Sequence, residues 1–215
     1  MTKTQRLRMT VDITMTILSI ILMGGNYLFP ADIVHEILGV GLFVLWALHI
    51  ILNRRWYGAI FKGKYNPYRV MQTIINCCIL ICTIFLMISG IILSNHIFTF
   101  LNIQGGLGFA RIAHLLASHW YYLFMSLHIG LHVGRLFQNI TAKIIPRIIL
   151  ALTCIYGLYA FIARGVWKYL ILRQQFFFFD LDRGYILFAI DYISIIILFA
   201  TLSHLLAKSL KKGKL

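Results

Sequence analysis

The chain has 215 residues, 60% hydrophobic and only 12% charged, with a net charge of +14. Globular domains carry about 25% charged and 45–50% apolar residues. A mean hydropathy of +0.86 on top of that gap excludes a water-soluble domain, a disordered chain and a disulfide scaffold. The basic residues punctuate apolar runs and form neither a patch nor a basic helix face, which argues against a nucleic-acid partner. The four cysteines include no C-x-x-C-H arrangement, so covalent c-type haem attachment is excluded too. What remains is an integral membrane protein small enough for one all-α bundle.

A hydrocarbon core about 30 Å thick needs roughly 17–25 apolar residues per helix. Six stretches qualify, and the expectation is six transmembrane helices over 11–29, 34–52, 70–93, 112–136, 144–163 and 185–206. Pro30 is read as ending the first and Asp32 as capping the second. The first span follows a basic start without a small-x-small cleavage site, so it is read as a retained helix rather than a signal peptide. Lys and Arg alternate between the loops in a ratio of 15 to 5, which predicts that both termini are cytoplasmic. The lipid membrane is therefore the first predicted partner.

Eight histidines follow. Ionisable side chains inside a span are costly and point to function. His35 and His49 lie on the second span, 14 residues apart; His114 and His128, on the fourth, are also 14 apart. Fourteen residues rise about 21 Å and return the side chain to nearly the same face. The two spans run parallel, since one span intervenes. His35 can then meet His114 toward the outer surface, and His49 can meet His128 toward the inner one. Each pair leaves room between helices for a flat macrocycle held by two imidazoles, the usual axial ligands in such bundles. His132 lies four residues beyond His128 on the same face and is the alternative inner ligand; equal spacing favours His128. His119 points about 140° away from His114 and is left out of the set. His96 reads as a loop residue and His204 as a packing residue. Gly39, Gly41, Gly130 and Gly134 lie near the paired histidines and would admit a planar ring.

These residues resemble a known family. The stretch Val34-His35-Glu36-Ile37-Leu38-Gly39, the run Leu48-His49 to Asn53-Arg54-Arg55-Trp56, and Phe61-Lys62-Gly63-Lys64-Tyr65 are similar to the flavinylation-associated cytochromes. So are Ile88-Ser89-Gly90-Ile91, the Gly105-Gly106 loop, and Met125 to His132. The resemblance spans roughly residues 10 to 205 and does not separate His128 from His132. It implies a cytochrome b-like four-helix core with two haem b groups, in a bacterial cytoplasmic membrane. It also implies electron transfer from a cytoplasmic-side or quinol donor to an extracytoplasmic flavin-bearing protein. On this reading, residues 1–138 form the haem-binding core and residues 139–215 add two helices and a basic tail.

Other residues complete the expectation. Arg111, three before His114, is a candidate for binding a haem propionate. Asp191 is read as paired with Arg164 or Arg183, and Asp12 as a helix N-terminal charge. Cys77, Cys78, Cys82 and Cys154 read as structural thiols. The tryptophans and the run from Phe176 to Phe179 read mostly as interfacial anchors. No phosphate loop, dinucleotide fingerprint or hydrolytic triad is present. Two other function classes fit the same residues: a transition-metal transporter or sensor using the intramembrane histidines, and a non-catalytic membrane anchor.

Overall fold

The computed structural model describes residues 2–29, 31–180 and 183–212, and every regular element among them is helical. α1 (Lys3–Leu22) opens with a capping box, in which Thr2 and Gln5 satisfy each other's backbone amides. α2 (Asp32–Leu52) follows a short 3₁₀ turn at Gly25–Leu28. A one-and-a-half-turn helix, α3 (Arg54–Ala59), leads to α4 (Pro67–Leu93). There Asn66 accepts from the Arg69 amide and Pro67 supplies a preset φ, so the start of α4 is fixed locally. α5 (Leu107–His132), α6 (Gly134–Ala142), α7 (Ile144–Ala163), the five-residue α8 (Val166–Leu170) and α9 (Gly184–Lys212) complete the chain.

Four of these helices, α2, α4, α7 and α9, are long and apolar enough to cross a membrane. α1 and α5 have 20 and 26 residues, or about 30 and 39 Å at 1.5 Å per residue, but carry more polar side chains. The expected first span is shorter than its apolar run. α1 stops at Leu22, because Gly24 and Gly25 turn the chain and Gly25 sits at φ +59°. Pro30, expected to end that span, lies outside the described residues. Asp32 does not cap α2: Ala31 is the cap residue, and Asp32 occupies the first turn, where its charge favours the dipole. The expected fourth span ends at His132, since Val133 leaves the helical region at ψ +23° and α6 starts afresh. Residue 138, the expected limit of the core, lies inside α6.

α5 is the central helix. α4 packs along one side of it and α9 along the other, with α7 against α9. Close approach is made possible by small residues: a Cβ at Gly130 would lie 2.1 Å from the Ala200 carbonyl oxygen, and one at Gly157 would lie 2.4 Å from that of Ser194. Tyr122 donates to the Tyr192 carbonyl across the same seam. Asp191 is fully buried there, bonded by Arg164 Nε at 2.7 Å and by Tyr156 at 2.5 Å, with Arg183 at 3.7 Å, as the pairing expectation has it. α2 is arranged differently. It packs mainly on α1, contributes no buried residue and barely approaches α4.

Two facing histidine pairs

α2 is pinned at its ends and stands off in the middle. At one end the Glu36 carboxylate accepts from Ser94 Oγ at 2.7 Å and from the amides of Asn95, His96 and Ile97 at 2.8–3.2 Å. At the other end Arg8 donates to the Leu52 carbonyl at 2.6 Å, and His49 Nδ1 donates to Asp12 at 2.7 Å. Between these ties lies a cavity of about 520 Å³ lined by α1, α2, α4 and α5. Its wall includes His35, His114, Gly39, Gly90, Trp46 and Tyr121.

The histidines meet in the expected pairs. The His35 and His114 rings have centres 6.4 Å apart, and those of His49 and His128 are 6.3 Å apart. Ring planes within the pairs are turned by 61° and 73°. The hydrogen bonds fix tautomers in three of the four. Asn76 Oδ1 can only accept, so His128 donates to it from Nδ1 at 2.8 Å. The Ser89 hydroxyl donates to the Phe85 carbonyl at 2.6 Å, which leaves its oxygen to accept from His114 Nδ1 at 3.0 Å. Asp12 likewise accepts a hydrogen bond from His49 Nδ1. In each case Nε2 is the nitrogen left to act as a ligand. Among the described residues His35 Nδ1 is buried without a side-chain partner.

The comparisons return nothing. No family model, no curated protein and no solved structure matches this chain.

The remaining candidates fall elsewhere. His132 is exposed and lies 4.5 Å from the His128 ring. His119 is buried on the opposite face of α5, stacked on Tyr169 at 4.2 Å and donating to the Leu115 carbonyl. His204 stacks on Phe137, and the His96 amide belongs to the Glu36 cradle. Arg111 is exposed at the start of α5, makes no ion pair among the described residues and does not line the cavity. Of the four glycines, Gly39 lines the cavity, Gly41 does not, Gly130 faces Ala200 and Gly134 faces His204. Gly90 is the glycine beside His114, 3.8 Å from its Cε1. Trp46 lines the cavity instead of anchoring an interface. In the phenylalanine run, Phe176 and Phe178 are exposed, while Phe177 and Phe179 turn in against Tyr27.

Sequence reasoning missed Asp12, Asn76, Ser89 and Glu36 as partners of the site. One signal was available. Asn76 and Ser89 are 13 residues apart on α4 and His128 and His114 are 14 apart on antiparallel α5, so each polar residue meets its histidine at matched height. Among the described residues no group of three or more His, Cys, Asp or Glu side chains gathers as a metal-ion cage would. The site is built from pairs.

Proposed function

We propose that this chain is a membrane cytochrome of b type, holding one haem between His35 and His114 and another between His49 and His128, and carrying electrons across the bilayer. The observation that carries this reading is the ring spacing. A metal–imidazole bond is about 2.0–2.1 Å and the ring centre lies roughly 1.1 Å beyond the bonded nitrogen, so two imidazoles on opposite sides of one ion have centres about 6.3 Å apart. The two pairs stand at 6.4 and 6.3 Å. The stacked histidines, His119 on Tyr169 and His204 on Phe137, lie closer to their neighbours, at 4.2 and 4.6 Å, while His35 also has the Phe29 ring tilted beside it at 6.5 Å.

The surroundings support the same reading. A cavity of about 520 Å³ beside the first pair falls within the 300–1,000 Å³ typical of cofactor sites. Gly39 and Gly90 keep its walls low. Ser89, Asn76 and Asp12 hold the imidazoles by Nδ1, so Nε2 is presented for coordination. Bound haem would supply a one-electron couple in a low-spin site. Trp46, Phe43 and Tyr121 border the space beside the first pair and give it an apolar wall.

In this proposal α1 and α5 cross the membrane beside the four apolar helices, giving six spans, with α7 and α9 outside the haem-bearing four. The basic end, with His49 and His128, faces the cytoplasm of a bacterium. Electrons enter there from a quinol or another cytoplasmic-side donor. They leave toward an extracytoplasmic flavin-bearing protein, as the resemblance to flavinylation-associated cytochromes suggests.

Paired substitutions test the assignment. Haem per chain is measured as a pyridine adduct in detergent-purified protein. His35→Ala and His114→Ala should each lose one haem of two, His49→Ala and His128→Ala the other, and His35→Ala/His114→Ala together no more than one. Two haems retained in any of the single variants would remove that histidine from the site.

A further inference from the structure

The two pairs differ in what stands behind the imidazoles. At the basic end, His49 donates to a carboxylate, Asp12, at 2.7 Å, and His128 to the amide oxygen of Asn76 at 2.8 Å. At the opposite end, His114 donates to a serine hydroxyl at 3.0 Å, and His35 Nδ1 has no carboxylate or other side-chain partner among the described residues. A carboxylate that takes the Nδ1 proton's hydrogen bond raises the basicity of the ligating nitrogen, and second-shell bonds of this kind tune the metal. A more basic ligand and a nearby negative charge both favour ferric over ferrous iron.

We infer that Asp12 is a positioning residue that gives the basic-end site the lower reduction potential of the two. This rests on the haem reading above and adds an ordering to it. One electron then passes downhill from the basic-end iron, oxidised from ferrous to ferric, to the opposite-end iron, reduced from ferric to ferrous. No bond forms or breaks. A quinol or other reductant at the basic end supplies the electron, and a flavin-bearing oxidant beyond the opposite end accepts it.

Other charges work against or alongside this arrangement and are weaker in their coupling to a ligand. Arg8, one turn before Asp12, has its guanidinium on the Leu52 carbonyl, and Lys211 sits over the Tyr68 ring at 3.9 Å. At the opposite end Glu36 binds four donors of residues 94–97, and Asp32 is exposed in the first turn of α2. None of these groups bonds a paired imidazole. Asp12 does; its side chain is itself half exposed, and what sets it apart is the direct bond to the ligand.

The test is an optical redox titration of purified wild type, Asp12→Asn and Ser89→Ala. Asp12→Asn keeps an acceptor for His49 and removes the charge. The lower of the two wild-type potentials should rise by a factor of at least ten in equilibrium constant, 59 mV for one electron, with the upper one unchanged. Ser89→Ala should leave the lower potential in place. Two haems whose potentials both ignore Asp12→Asn would overturn the inference while leaving the haem reading intact; wild type without haem would defeat that reading itself. If Asp12→Asn sheds one haem, Asp12→Glu decides: it should retain both haems and a lower potential near that of wild type, and loss of the haem there too would overturn the inference.

Discussion

Glu36 accepts a hydrogen bond from Ser94 across the gap between α2 and the end of α4, at 2.7 Å, and gathers the three following amides onto the same carboxylate. It sits one residue after His35, so the clasp also fixes the height of that imidazole. With Asp12 and Arg8 holding the other end, α2 needs no packed middle, and the histidines face α5 across open space.

Removing the clasp should loosen that end alone. In Glu36→Ala, amide exchange at Asn95, His96 and Ile97 should speed up by at least about tenfold, a modest loss beside the roughly 1.5–3 kcal/mol of a bond to a charged group. Hydrogen exchange followed by mass spectrometry reads this directly. Unchanged protection of residues 95–97 would mean the cradle is not what orders the turn.

His128 and His132 share a face of α5, and the His128 ring stands 6.3 Å from that of His49, close to the 6.4 Å of the outer pair. His132→Ala should therefore keep both haems and a wild-type reduced spectrum, while His128→Ala loses one. The opposite pattern, read from haem per chain, would move the ligand one turn along the helix.

Asp191 is fully buried and Arg164 is 6% exposed at its side chain. Asp191→Ala leaves that guanidinium buried without its carboxylate, which typically costs about 3–5 kcal/mol. A clear fall in unfolding temperature in detergent is expected, with the absorption of any haem that remains unchanged in shape. A variant as stable as wild type would show that the buried Arg164 guanidinium does not depend on this carboxylate.

Gly130→Ala and Gly39→Ala should separate two uses of glycine. A Cβ at Gly130 lies 2.1 Å from the Ala200 carbonyl oxygen, a backbone atom, whereas one at Gly39 meets nothing within 4 Å. The first should destabilise by about 1–3 kcal/mol or more as α5 and α9 are forced apart. The second should leave unfolding unchanged. Thermal melts of both variants in one detergent provide the comparison.

The histidine pairs were legible because equal spacing on parallel helices is a local property of the sequence. Their partners were not read. Asp12 lies 37 residues from His49, and its position early in the first apolar run suggested only a dipole role. Asn76 and Ser89 become partners of the histidines only because α4 and α5 lie antiparallel. The glycines misled for a different reason: a small residue serves a helix seam or a cofactor wall equally, and hydropathy does not say which face it occupies. The end of α1 was set too far along because the apolar run continues past Gly24 and Gly25, where the backbone turns. The 144–163 helix, with no such break inside it, was placed as it stands.

The most direct test of the account is a dithionite-reduced minus oxidised spectrum of wild-type protein, expressed with ample haem and purified in detergent, with haem and iron quantified per chain. The account predicts two low-spin b-type haems per chain, both reducible. Protein that folds as a helical bundle yet carries no haem would contradict it, and the facing imidazoles would then need another purpose.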